Sequence, residues 1–315
     1  MTPLLRTIAI IAVLIALIVV VSMVARSPRV QETSLKSVIP RLEKIGSGEL
    51  TIDAKAVFVK RIRDDSILYE RNANERLPIA SLTKLMTALL LAEQSEPLHP
   101  IVFSDAAKRI GASDDKRSQV RAGDTIKAED VLKLLLIASD NDAAYAVAED
   151  IGSTGDTSRL FQDRVLTFVR RMNERAGALG LVDTHYSNPA GSDDPENFST
   201  AKDLEALAEH ILREHPELWS VSRTQEAIVF GVGEDRYSVV NTDPLLAEYP
   251  SLYGSKTGFD DEAKGTLLLL YAIGRDDVVS IVLLKSNDRF SDGRAVIQWL
   301  ESNFRLVPAT GEDNR

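Results

Sequence analysis

Apolar residues fall along this chain in three patterns, and each predicts a different element. Residues 7–25 are almost continuously Ile, Leu, Val and Ala, with no charge. As a helix that run is about 28 Å long, close to the hydrocarbon thickness of a bilayer, so it is expected to span a membrane. Residues 77–91 read as a helix entered just after Pro78, with Leu82, Leu85, Met86, Leu89 and Leu90 covering most of its surface. A helix apolar nearly all round belongs in a protein core. Residues 131–138 predict a second apolar helix, followed by a helical run over 142–149. The third pattern is the short unbroken apolar run. Residues 266–272 and 278–284 predict two neighbouring strands joined by a turn over 274–277. Strand signals thus sit toward the ends of the chain after residue 50 and helical signals in its middle, a segregation that suits an α+β arrangement better than βαβ alternation.

Length then divides the chain. At 315 residues it holds one large domain, expected over 51–305, with a short tail over 306–315. Residues 1–25 are expected to be a transmembrane signal anchor. A cleaved signal peptide is the rival, but its apolar region is usually shorter, and Ser22-Met23-Val24-Ala25 is a poor cleavage site. Residues 26–50, with scattered charge and Gly46-Ser47-Gly48, read as a stalk. Arg6 flanks one end of the apolar run while Arg26, Arg29 and Lys36 flank the other, so the charge bias does not favour a cytoplasmic N-terminus.

Three strings occur in order inside the expected domain: Ser81-Leu82-Thr83-Lys84, Ser139-Asp140-Asn141 and Lys256-Thr257-Gly258. In the first, a hydroxyl and an amine share one helical turn. A serine hydroxyl becomes a good nucleophile when a base takes its proton, and a desolvated lysine can be that base. The second string lies between two predicted helices, where Ser139 and Asn141 can turn toward a cleft; Ser, Asp and Asn are also ordinary capping residues there. The third precedes the strand over 266–272. It offers a fixed positive charge, a hydroxyl donor, and a glycine that another backbone can approach. Each string alone arises readily by chance, whereas the three in order are rare.

Together, S-x-x-K, S-D-N and K-T-G resemble the motif set of penicillin-binding proteins and class A β-lactamases. The similarity extends from Ile67-Leu68-Tyr69-Glu70 through Leu91, then to Arg171-Met172-Asn173, Leu179-Gly180-Leu181, the run from Thr184 to Gly191, Ser199-Thr200-Ala201-Lys202-Asp203-Leu204, Asn287-Asp288-Arg289-Phe290 and a closing helix over 295–304. Over roughly residues 50–305 the chain resembles the D-alanyl-D-alanine carboxypeptidases, the low-molecular-mass penicillin-binding proteins of the S11 peptidase type. The resemblance implies a serine β-lactamase/DD-peptidase-like fold: an antiparallel sheet, including a strand near 56–60, packed with helices, plus a mainly helical part over about 101–212. It implies catalysis by Ser81, Lys84 and Ser139, substrate binding by Asn141, Lys256, Thr257, Gly258 and Arg289, and an oxyanion hole from the backbone N–H groups of Ser81 and Phe259. The implied partners are peptidoglycan stem peptides, with β-lactams as covalent inhibitors, and the implied location is the bacterial cell membrane with the catalytic domain on the extracytoplasmic side. No cofactor is implied.

Composition narrows the classes further. With no cysteine there is neither a disulfide nor a thiolate metal site, and His99, His185, His210 and His215 are too scattered for ligand spacing. A formal net charge of −10 argues against nucleic acid as a partner. Asp193-Asp194-Pro195-Glu196 lacks the spacing of a calcium loop and reads as a solvated turn. Two features depart from the family pattern: Asp140, where a small residue is more usual, and the acidic run Asp260-Asp261-Glu262 beside a site meant to bind a carboxylate. A β-lactamase is the nearest rival, but Glu174 is followed by Arg175-Ala176-Gly177 rather than the x-x-L-N context that such an enzyme's glutamate takes. A DD-endopeptidase with the same acylation machinery is a second rival, and a non-catalytic wall-binding protein that keeps the cleft without turnover is a third.

Overall fold

The computed structural model describes residues 40–111, 119–153, 160–233, 235–275 and 277–307. The predicted membrane span at 7–25 lies outside them; among the described residues no helix is long and apolar enough to cross a membrane. These residues form two units, one over 46–303 and one that holds a strand pair. The pair joins β1 (Arg41–Lys44) to a last strand over Phe304–Val307 in antiparallel register, Leu42 opposite Leu306. It draws on residues at the end of the expected stalk and at the border of the expected tail.

In the larger unit the chain runs through β2 (Ala56–Arg61), β3 (Ser66–Arg71), β4 (Leu77–Pro78), a 3₁₀ turn over Ala80–Thr83 and α1 (Lys84–Gln94). The middle of the chain holds β5 (Pro100–Val102), α2 (Asp105–Gly111), β6 (Thr125–Lys127), α3 (Ala128–Leu136), α4 (Asn141–Ser153), α5 (Phe161–Ala178), β7 (Phe198–Ser199), α6 (Ala201–Glu214) and α7 (Pro216–Ser222). A hairpin of β8 (Glu226–Phe230) and β9 (Arg236–Val240) and the short α8 (Leu245–Glu248) lead to β10 (Leu252–Asp260), β11 (Lys264–Gly274), β12 (Asp277–Ser286) and α9 (Arg289–Asn303).

The main sheet is antiparallel in the order β10-β11-β12-β2-β3, so the first long strand pairs with the last and β10 lies at an edge. Its central strands read as unbroken apolar runs because both faces are covered. Leu268, Leu270, Val282 and Leu284 join the large core shared with the helices. Leu267 and Leu269 face the other way, close enough to Gly293 of α9 that a Cβ there would lie 2.9 Å from Leu267. Alternate side chains of one strand thereby serve two cores.

The predicted helices at 131–138 and 142–149 are present as α3 and α4, and α1 is buried from Lys84 to Leu91, packed against α3, α4, α5 and α6. Two boundaries differ from expectation. The helix predicted to open after Pro78 begins at Lys84, because Pro78 pairs with Phe198 in β4–β7 and Ala80 takes a left-handed φ of 48° that interrupts regular entry. The closing helix starts at Arg289 rather than 295, because the Asp288 carboxylate accepts from the backbone N–H groups of Phe290 and Ser291 and caps it there.

Candidate active site

Ser81 lies in the 3₁₀ turn and Lys84 at the first position of α1. In a 3₁₀ turn residues i and i+3 eclipse, so the three-residue spacing still stacks hydroxyl and amine. Lys84 Nζ donates to Ser81 Oγ at 2.9 Å, to Asn141 Oδ1 at 2.7 Å and to the Ala190 carbonyl at 2.6 Å. Its side chain is fully buried. The amine therefore sits at a junction of three chain segments, with the serine as one of its partners.

The turn that carries Ser81 is fastened on both sides. Thr266 Oγ1, on β11, donates to the Ile79 carbonyl at 3.1 Å, and Asn197 Nδ2 donates to Thr83 Oγ1 at 2.9 Å. Gly258 of β10 comes so close that a Cβ there would lie 2.4 Å from Thr266 Oγ1 and 2.9 Å from the backbone nitrogen of Ser81. Only a residue without a side chain lets β10 lie against the turn. Gly191 also abuts the turn. A Cβ there would fall 1.9 Å from the Ala80 carbonyl, and its φ of 81° is in the left-handed region that glycine tolerates.

The Ser139-Asp140-Asn141 string divides its work. Asp140 Oδ1 accepts from the Ala143 backbone N–H at 2.9 Å and caps α4. Its neighbours face inward: Asn141 reaches Lys84, and Ser139 Oγ accepts from Lys256 Nζ at 2.8 Å. Ser139 does so from a left-handed φ of 58°, an uncommon conformation for a serine. Lys256 is buried on β10 and also donates to the Thr257 carbonyl at 2.8 Å, while Thr257 Oγ1 lies 2.6 Å from Thr242 Oγ1. Ser81, Lys84, Ser139, Asn141, Lys256, Thr257 and Gly258 are thus brought together in one place. Phe259 follows on β10, half exposed. Arg289, at the head of α9, stands with its guanidinium carbon 5.5 Å from the Phe259 ring and 4.4 Å from the Phe290 ring. Its Nε has no hydrogen-bond partner among the described residues, and burial holds its pKa below the usual arginine value.

Three groups at the site escape a reading of the three strings. The first is the Ala190 carbonyl. Asn188 Oδ1 gathers the backbone N–H groups of Ala190, Gly191 and Ser192, and the loop so formed turns the Ala190 carbonyl onto Lys84. The Asn188-Pro189-Ala190-Gly191 sequence carries that turn signal, but nothing local says where the loop lands. The second is Thr242, between β9 and α8. The third is a cavity of about 430 Å³ beside Ala80, lined by Pro78, Gly191, Asp193, Asp194, Asp260 and Glu262 among others. Burial, and after it the neighbouring Asp193 carboxyl, push the Asp260 pKa up to about 7. The acidic turn and the acidic run after Gly258 therefore meet.

Comparison with known proteins gives the family and the fold. The sequence profile of the Peptidase S11 family, D-alanyl-D-alanine carboxypeptidase, matches residues 43–287. The chain is 30% identical over 241 residues to D-alanyl-D-alanine carboxypeptidase DacF of Bacillus subtilis, covering 75% of this chain and 58% of that protein. It is 31% identical over 288 residues to a D-alanyl-D-alanine endopeptidase of Pseudomonas aeruginosa, covering 89% and 86%. The crystal structure of the Streptomyces K15 DD-transpeptidase superposes with a TM-score of 0.74 at 26% identity, covering 81% of this chain and all of that one. The fold is therefore of the DD-peptidase type, α+β with an antiparallel sheet.

Proposed function

Because this chain belongs to the D-alanyl-D-alanine carboxypeptidase family of S11 serine peptidases, we propose that it removes the terminal D-Ala from peptidoglycan stem peptides through an acyl-enzyme on Ser81. The observation that carries this reading is the 2.9 Å bond between Ser81 Oγ, partly open to solvent, and the Nζ of a fully buried Lys84.

In the neutral, base form of Lys84 the 2.9 Å contact runs the other way: Nζ keeps its two N–H groups on Asn141 Oδ1 and the Ala190 carbonyl and accepts from the Ser81 O–H, so that Ser81 Oγ attacks the carbonyl carbon between the last two D-alanines as its proton passes to Lys84. Burial works toward that neutral form by removing the water that would solvate an ammonium. The negative charge that develops on the carbonyl oxygen is met by the backbone N–H groups of Ser81 and Phe259, an arrangement commonly worth about 3 to 4 kcal/mol per donor. Collapse breaks the peptide bond, and Ser139 relays a proton to the departing amine of D-Ala. Asn141 holds the substrate amide and Lys84 together. Lys256 and Thr257 take the terminal carboxylate, with Arg289 as a further cation near it. Water then attacks the acyl-enzyme, with Lys84 again as base, and frees the shortened peptide and Ser81.

A second reading is favoured by the Pseudomonas relative, which is named an endopeptidase and matches over most of both chains. The same acyl-enzyme cuts a cross-link when the leaving amine belongs to a neighbouring stem rather than to free D-Ala. Incubating the protein with muropeptides and weighing the products separates the outcomes. Loss of one D-Ala supports the carboxypeptidase, and cleaved cross-links support the endopeptidase. Unchanged muropeptides would overturn both and favour a non-catalytic wall-binding protein. Ser81→Ala should abolish both product formation and covalent labelling by a fluorescent penicillin.

Residues 7–25 serve in this reading as an uncleaved anchor that holds the catalytic domain on the extracytoplasmic side of the bacterial membrane, supported by their length, apolarity and poor cleavage site. The full-length protein should sediment with membranes at its uncleaved mass, and deleting residues 1–30 should release it. A mature N-terminus just after Ala25 would show a signal peptide instead.

A further inference from the structure

The Thr257 hydroxyl has one proton, and binding of the substrate carboxylate by Thr257 needs that O–H to donate to the carboxylate. The hydroxyl is bonded to Thr242 Oγ1 at 2.6 Å, a contact in which either oxygen can be the donor. When Thr257 donates to a carboxylate, Thr242 must donate to Thr257, because a hydroxyl proton serves one strong bond at a time. We propose that Thr242 is a positioning residue for substrate recognition: its hydroxyl orients that of Thr257 and completes a two-hydroxyl chain that ends on the substrate's terminal carboxylate. The proposal rests on the assignment of Thr257 to that carboxylate and adds a residue outside all three strings.

The segment that presents Thr242 is unusually well pinned. Asn241 Nδ2 donates to the carbonyls of Ser222 and Thr224 at 2.7 and 2.9 Å. Asn241 Oδ1 accepts from the Asp243 N–H at 3.0 Å, and Asp243 Oδ1 from the Leu245 N–H at 2.9 Å. Thr242 itself gives its backbone N–H to the Ile137 carbonyl at 3.1 Å, two residues before Ser139. It therefore ties the end of α3, which leads into Ser139, to β10, which carries Thr257. A donor held this way is oriented before substrate arrives, and the bond it makes strengthens when its partner donates to an anion.

Thr242→Val removes the hydroxyl while keeping the side-chain shape and the backbone bond to Ile137. It should lower kcat/KM for D-Ala release, and the second-order rate of acylation by penicillin, by about two- to tenfold, the usual effect of one net hydrogen bond. The loss should fall on KM, and Thr242→Ser should restore it. In a Thr257→Val background, Thr242→Val should add nothing, since the two act as one unit. An undiminished loss in that background, failure of the serine variant to restore, or no loss at all would overturn the proposal. A wild-type protein that acylates with penicillin yet releases no D-Ala would end the carboxypeptidase reading and leave this cycle readable on acylation alone.

Discussion

Gly258→Ala tests whether close backbone approach builds the site. The added Cβ would lie 2.4 Å from Thr266 Oγ1 and 2.9 Å from the Ser81 nitrogen, where ordinary contact begins at 3.4 Å. The shortfalls are 3.4 − 2.4 = 1.0 Å and 3.4 − 2.9 = 0.5 Å. Thr266 is fully buried and bonded to the Ile79 carbonyl, so its hydroxyl can yield only by giving up that bond. Relief has to come from β10 and the Ser81 turn moving apart by a good part of an ångström. Overpacking of that kind costs roughly 1 to 3 kcal/mol of stability. In a domain of this size that lowers Tm by about 2 to 12 °C. The effect on chemistry should be larger, because a misplacement of about 1 Å at reacting groups costs about 10²-fold in rate. Stopped-flow acylation by a fluorescent penicillin, with thermal unfolding of the same samples, reads both quantities. A folded variant that acylates at the wild-type rate would refute the argument that this glycine sets the distance between β10 and Ser81.

Lys256→Ala should weaken both acylation and D-Ala release, and amidating the C-terminus of the peptide should hurt the wild type far more than the variant; equal losses would move the carboxylate to another cation, Arg289 first. Asp260→Asn probes the raised carboxyl next to Asp193. With a folded pKa near 7 and an ordinary unfolded one, the wild type holds a proton that the unfolded chain has lost, so this group's contribution is full at low pH and declines as pH rises to about 7. The difference in Tm between Asn variant and wild type should therefore widen in favour of the variant over that interval and level off above it; parallel Tm curves would refute the assignment. Arg61→Ala would leave Asp277, buried in the fold, without the guanidinium that now donates to both of its oxygens at 3.0 and 2.5 Å. Arg63 Nε stays 3.7 Å from the same carboxylate, so urea unfolding should show a loss of up to about 3 to 5 kcal/mol, and a loss below about 1 kcal/mol would refute Arg61 as the main partner of this buried charge.

Sequence by itself determined the chemistry on offer and the class of fold. Hydroxyl, amine and amide arrive as three strings, and the apolar runs at 131–138, 266–272 and 278–284 foretell α3, β11 and β12 because helix and strand periodicities are local properties of a chain. The entry to α1 was less legible. A left-handed φ is not a local preference of alanine, and the turn that Ala80 opens is packed against Gly191, close to its carbonyl, and Gly258. The Ser139-Asp140-Asn141 string named three capping residues, and tertiary packing chose Asp140 for the cap and turned its two neighbours onto Lys256 and Lys84. Tertiary structure alone supplied the Ala190 carbonyl, Thr242 and the meeting of Asp193 with Asp260. Each is a contact between segments far apart in the chain, and such contacts are decided by which backbones can approach, a matter of missing Cβ atoms and buried hydrogen bonds that no short window of sequence contains.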